Sequence, residues 1–224
     1  MKKILTLALV AILGVGISDA QLVKSRTYNT VEKKKNSYNR ISVGYDAQFW
    51  SGDYIKAATD GEKSSLTGNG FNVAYIHGFG LSSSVPVFLE TGIGLGFNSG
   101  SVKSKYDDDK ATVSNLWVKV PVNVAYKANL TDNIALLPYT GINFRVNGTL
   151  SVNPDDDDSV SFFDDDMGGQ RFQMGWQIGV GVNISKLYVG LQYGLDFMPL
   201  VKAPENDKYK INSSNLAVNI GYTW

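Results

Sequence analysis

Between Tyr38 and Trp224 the chain returns about eight times to an alternation of apolar with small or polar residues. In the clearest run, Leu116, Val118, Val120, Val122, Val124 and Tyr126 are interleaved with Trp117, Lys119, Pro121, Asn123 and Ala125. A period of two belongs to a strand with two unlike faces. The pattern predicts strands over 38–50, 67–80, 85–98, 113–128, 134–147, 171–184, 187–200 and 213–224. The short connections are Leu81–Ser84, Asn129–Asn133 and Ser185–Lys186; the long ones are 51–66, 99–112, 148–170 and 201–212. Long and short alternate strictly. That is the rhythm of an all-β fold, an eight-stranded antiparallel up-and-down transmembrane β-barrel, with short turns toward the periplasm and long loops outside.

Alternation does not say which face points outward, since a soluble barrel would hide its apolar face. Composition of the other face decides. In the third strand it reads Pro86, Phe88, Glu90, Gly92, Gly94, Gly96; in the sixth, Arg171, Gln173, Gly175, Gln177, Gly179, Gly181. A water-exposed face is rich in Lys, Glu and Thr. Glycines and amides suit the crowded interior of a small barrel, and the bulky face suits lipid, where barrel closure has already paired every backbone group. Phe49, Phe97, Phe144, Phe172, Trp176 and Phe197 fall toward the long-loop ends, and Phe79, Tyr126, Tyr222 and Trp224 toward the short-turn ends. Two aromatic girdles at two interfaces are expected of a membrane barrel.

The start of the chain reads as an export signal. Lys2 and Lys3 precede the apolar stretch Ile4 to Ile17, and Ser18-Asp19-Ala20 offers small residues for cleavage before Gln21. Residues 1–20 are therefore expected to be a cleaved signal peptide, 21–37 a basic periplasmic segment and 38–224 the barrel domain. With a formal charge of zero there is no electrostatic reason to expect nucleic acid as a partner. Cysteine is absent, which excludes disulfides, thiol nucleophiles, thiolate metal sites and a lipid-bearing cysteine.

Several short segments resemble a known family. Val118-Lys119-Val120-Pro121-Val122-Asn123-Val124-Ala125-Tyr126-Lys127 looks like one strand of the eight-stranded outer-membrane β-barrel proteins that include the PorT-like and OmpA/OmpX-like barrels. Leu137-Pro138-Tyr139 before Gly141, the runs Gly175 to Val182 and Tyr188 to Gly194, and the ending Asn215 to Trp224 resemble later strands of that family. The resemblance implies an outer-membrane location in a Gram-negative cell envelope and assembly by the barrel-insertion machinery. It fixes no activity, because this architecture hosts adhesins, anchors, enzymes and secretion accessories. Leu216, Val218, Ile220, Tyr222 and Trp224 on one face resemble the C-terminal insertion signal of such barrels, with Asn219 where those signals often carry Gly. Pro121 is unusual for a central strand; in the family resembled, Pro occurs here, and a local bulge is expected to accommodate it.

The lumen-facing charges are Asp46, Glu90, Lys119, Arg145 and Asp196, with Arg171 near the outer mouth. Buried charges of both signs should pair with one another and with Gln173, Gln177 and Gln192, because unpaired burial is costly. Eight strands leave little room beyond side chains, so a filled lumen is expected over a gated channel. The acidic runs Asp155–Asp158, Asp164–Asp166 and Asp107–Asp109 match no calcium-loop spacing and read as solvated loop charge. The only histidine, His77, stands on the lipid-facing parity with no carboxylate near it in sequence, a poor start for acid–base chemistry. Gly78-Phe79-Gly80 and Gly92 to Gly96 lack the helix and lysine of a phosphate loop.

These residues predict no catalytic, cofactor or metal site. The expected function is that of a non-enzymatic outer-membrane barrel, envelope-structural or making surface contacts through its long loops, in an environment of outer-membrane lipid and lipopolysaccharide. The alternative is a narrow pore of the porin type for ions or small solutes.

Overall fold

The computed structural model describes residues 37–59, 61, 64–82, 84–103, 110–154, 159–164, 167–203 and 209–224. The expected signal peptide, the basic segment up to residue 36 and the acidic runs 107–109, 155–158 and 165–166 lie outside them.

Eight long strands build the wall: β1 (Ser37–Ser51), β2 (Ser65–Gly80), β3 (Val87–Lys103), β4 (Lys110–Tyr126), β5 (Ile134–Pro154), β6 (Phe172–Ile184), β7 (Leu187–Asp196) and β8 (Lys210–Thr223). Each pairs antiparallel with its neighbour in sequence, and β1 also pairs with β8, so the sheet closes on itself. Register along the closing seam runs unbroken from Arg40↔Thr223 to Ser51↔Asn212. Reciprocal backbone bonds at the short-turn end extend it by one pair: Asn39 N–H donates to Trp224 O (2.9 Å) and Trp224 N–H to Asn39 O (3.0 Å). Closure leaves no sheet edge, a requirement for strands in hydrocarbon.

Parity then sorts the side chains. Even positions of β1, β2, β3 and β7 and odd positions of β4, β6 and β8 face the lumen. The opposite parity carries Val43, Val73, Leu95, Val122, Ile178, Leu191 and Val218, all exposed on the outside. Leaving so many branched aliphatics in water would forfeit about 1.5–3 kcal/mol for each that burial could cover. A closed wall, an outward apolar belt and a polar inside are the construction of an outer-membrane β-barrel. Phe144, Phe172, Trp176 and Phe197 are exposed toward the long-loop end, and Tyr126, Tyr222 and Trp224 toward the short-turn end.

The wall is taller at the long-loop end than the alternation predicts. The expected loop 99–112 is largely ladder, with β3 and β4 paired out to Lys103↔Lys110. β5 runs on to Pro154 and pairs there with Val160–Ser161. Within the expected loop 51–66 lies a short helix, α1 (Asp53–Ala58). Val201–Lys202 pairs with the start of β8.

Pro121 departs from expectation. Its register is unshifted on both sides, from Thr91↔Val122 to Gly94↔Lys119 and through Pro121↔Asn143, so there is no bulge. The ladder with β3 instead skips Gly92 and Ile93, where pairing would need the N–H that proline lacks. The bulge lies elsewhere. Leu116 faces Thr149 and Trp117 faces Asn147, which leaves Gly148 as the extra residue of β5. Before it Asn143, Arg145 and Asn147 face inward; after it the inward parity switches to Leu150 and Val152.

Candidate functional site

The interior is stacked in layers from the short-turn end upward. In the lowest, Glu90 is fully buried and Arg40 Nη1 lies 3.0 Å from its Oε1, an ion pair whose N–H bonds do not align with the oxygen. Tyr38 Oη donates to Glu90 Oε1 at 2.5 Å, and Asn123 Nδ2 reaches Oε2 at 3.5 Å. Gln177 Nε2 in turn donates to Asn123 Oδ1 at 2.7 Å. The Arg40 guanidinium sits 4.1 Å from the centroid of the Tyr188 ring, a cation–π contact. Tyr38, Phe88, Ala125, Ala135, Leu137 and Tyr139 pack the space around these groups.

Rings fit because glycines make room. A β-carbon on Gly181 would lie 2.3 Å from Tyr188 Cε2, and one on Gly179 would lie 2.3 Å from Tyr139 Cζ. The glycine-rich face is therefore a set of seats for aromatic side chains from the neighbouring strands.

The second charged layer sits toward the long loops. Arg145 Nη2 donates to Asp196 Oδ2, to Gln173 Oε1 (2.7 Å) and to Ser213 Oγ (3.1 Å). Gln173 is fully buried and its Nε2 donates to Met198 O at 3.1 Å. Asp46 accepts from Asn215 Nδ2 at 3.2 Å. Its backbone carbonyl accepts from Asn98 Nδ2 at 2.8 Å, and Asn98 Oδ1 accepts from Trp117 Nε1 at 2.7 Å. Charge-assisted bonds of this kind are about twice as strong as neutral ones, and they hold side chains from five strands across the bore.

Between the two layers lies a cavity of about 40 Å³, lined by Lys119, Pro121, Asn72 and Asn219 among others. Five residues of its lining, Arg40, Asn72, Gln177, Gln192 and Asn219, each carry one buried polar side-chain atom with no hydrogen-bond partner among the described residues. A space with that polarity and roughly three water-sized positions suits water.

Above the second layer the character changes. Trp50, Ile55, Leu150, Phe162, Leu200 and Val201 form a buried apolar cluster roofed by α1 and the pieces around Phe162 and Leu200. The parity switch at Gly148 supplies Leu150. The cap borders a partly open apolar pocket of about 300 Å³.

All five charges expected in the lumen are thus located. Arg145 and Asp196 meet; Glu90 stands at the other end with Arg40; Asp46 lies under Asn215, within electrostatic reach of Lys119. Lys119 is half-buried, 5.4 Å from the Trp117 ring centroid. Arg40 was missing from that set, although it shares the even parity of Asp46. Arg171 is exposed and stacks on Phe163, 4.1 Å from the ring centroid. His77 stands on the outward parity, with Nδ1 2.7 Å from Asn39 Oδ1 and its ring against Phe79. No group of three or more His, Cys, Asp or Glu is placed to hold a metal ion among the described residues.

No protein-family description matches the chain, and no curated protein matches it in sequence. Among solved structures it is similar to a major outer membrane protein of Thermus thermophilus (15% identity, TM-score 0.47, 83% of this chain and 99% of that one). It is similar to the outer membrane protein OprG of Pseudomonas aeruginosa (13% identity, TM-score 0.43, 85% and 97%). It is also similar to Ail, the attachment invasion locus protein of Yersinia pestis (13% identity, TM-score 0.40, 84% and 99%).

Proposed function

We propose that this outer-membrane barrel is a closed, non-enzymatic envelope protein that acts as a structural element or through surface contacts at its long-loop end. The observation that carries the reading is the filling of the bore. Two charged layers and an apolar cap leave about 40 Å³ between the layers, too little for a hydrated ion to pass. A narrow pore of the porin type would need a continuous wet path. The partners in this reading are outer-membrane lipid and lipopolysaccharide around the belt, the insertion machinery during assembly, and a surface or periplasmic protein whose identity the chemistry does not specify.

Planar-bilayer recording of the purified barrel tests it. Rare, small conductance is the expected result; large, steady open channels would overturn the closed bore.

A further inference from the structure

Two of the three arginines among the described residues stand in the bore opposite carboxylates, Arg40 beside Glu90 and Arg145 beside Asp196. The third, Arg171, is exposed at the long-loop end and pairs with no carboxylate among the described residues. Its side chain is held all the same. The guanidinium lies on the Phe163 ring, 4.1 Å from the centroid, and Nη1 donates to Gly148 O at 3.3 Å. Phe163 is itself packed against the apolar cap, and Gly148 is the extra residue of the β5 bulge. The Arg171 carbonyl accepts from Asn147 N–H at 2.7 Å, which fixes the backbone as well.

A guanidinium carries five N–H donors in a planar fork. One bond goes to Gly148; the rest of the fork has no protein partner among the described residues. The cost of ordering this long side chain is therefore met before a ligand arrives.

The surroundings narrow the ligand class. Phe172, next in the chain, is exposed and stacks with Phe144, with 6.5 Å between centroids and 24° between planes. Both rings belong to the aromatic girdle at the long-loop end. A fixed cation with donors to spare, adjoining an exposed aromatic pair at a membrane interface, fits an amphiphile whose anionic group stands over hydrocarbon. Guanidinium and phosphate form parallel charge-assisted bonds that a neutral headgroup cannot match.

We infer that Arg171 binds the phosphate of a phosphorylated glycolipid in the outer leaflet, with one acyl chain of that lipid lying along Phe144 and Phe172. The site rests on the reading above only in setting the long-loop end in the outer leaflet; whether the bore conducts has no bearing on it.

The test uses the full-length barrel in phosphatidylcholine nanodiscs, with rising fractions of lipid A or of dephosphorylated lipid A, or with inorganic phosphate in the buffer. NMR follows the Arg171 Nε–H and the Phe172 ring. Lipid A should shift both signals saturably, dephosphorylated lipid A should move Phe172 alone, and inorganic phosphate should move neither. Arg171→Gln should weaken lipid A binding, read at Phe172, by about three- to ten-fold, between an exposed ion pair and a fully charged hydrogen bond. Arg171→Lys, the variant to use should the first not fold, keeps the charge without the fork and should recover only part of the affinity. An Arg171 signal that ignores the lipid phosphates while Phe172 responds, or variants that bind lipid A as the parent does, would overturn the site. Inorganic phosphate acting as strongly as lipid A would overturn the lipid as its ligand. A Phe172 ring silent toward both lipids would overturn the membrane placement together with the site.

Discussion

The edge of the Trp117 indole occupies the space that a β-carbon on Gly96 would need, with Cζ2 2.1 Å from that position. The two residues face each other across β3 and β4, and Trp117 Nε1 is tied to Asn98 two residues along β3. The ring therefore cannot slide away without losing a buried bond. Gly96→Ala is expected to destabilise the barrel by about 1–3 kcal/mol, as overpacking does. Gly94→Ala is the control, because nothing lies closer than 3.8 Å to its added carbon. Urea midpoints followed by the gel shift between folded and boiled protein should fall for the first and hold for the second.

Arg145 is the cation that neutralises Asp196 in the upper layer. Removing it alone leaves a buried carboxylate uncompensated. Arg145→Met should cost about 3–5 kcal/mol, and Arg145→Met with Asp196→Leu should recover part of that loss. A double-mutant cycle on unfolding free energies reads the coupling directly; a loss in the double variant equal to the sum of the two single losses would show that the pair is not coupled.

Leu191 sits mid-strand on the outward face between Val180 and Val218. Arg at this place should cost about 2–4 kcal/mol if it meets the bilayer midplane. Leu191→Arg is expected to lower the yield of gel-shifted, folded barrel in vesicles. Unchanged folding would mean the belt does not face acyl chains.

Trp224 closes the seam through its backbone, so its ring is free to serve another purpose. The ring stacks near Tyr222, 5.9 Å between centroids, at the short-turn interface. Trp224→Ala should keep the seam bonds and leave the unfolding midpoint of assembled barrel within about 1 kcal/mol. Assembly in cells should slow, with more chain left unassembled in the periplasm. A variant that assembles at the parent rate would remove Trp224 from the insertion signal.

Strand positions were legible because parity is local: one residue's neighbours reveal its face. β6, expected over 171–184, begins at Phe172, and β7 keeps its predicted start at Leu187. What failed to show was non-local. The bulge at Gly148 shifts parity within one strand, so Leu150 and Val152 look like loop residues until Leu116 and Trp117 are seen opposite them. α1 is six residues long and held by the residues it covers, too short for a periodic signal. The lumen charges were visible as residue types, but their grouping was not, since Glu90 and Arg145 lie at different heights of the bore. Arg40 could have been found by extending the even parity of β1 two residues before Ser42.

The vertical order of the interior sets the terms on which anything arrives from the long-loop side. A traveller meets oil first and salt second. An ion would have to shed its hydration at the apolar cap before reaching the Arg145 tier, where groups able to replace it stand.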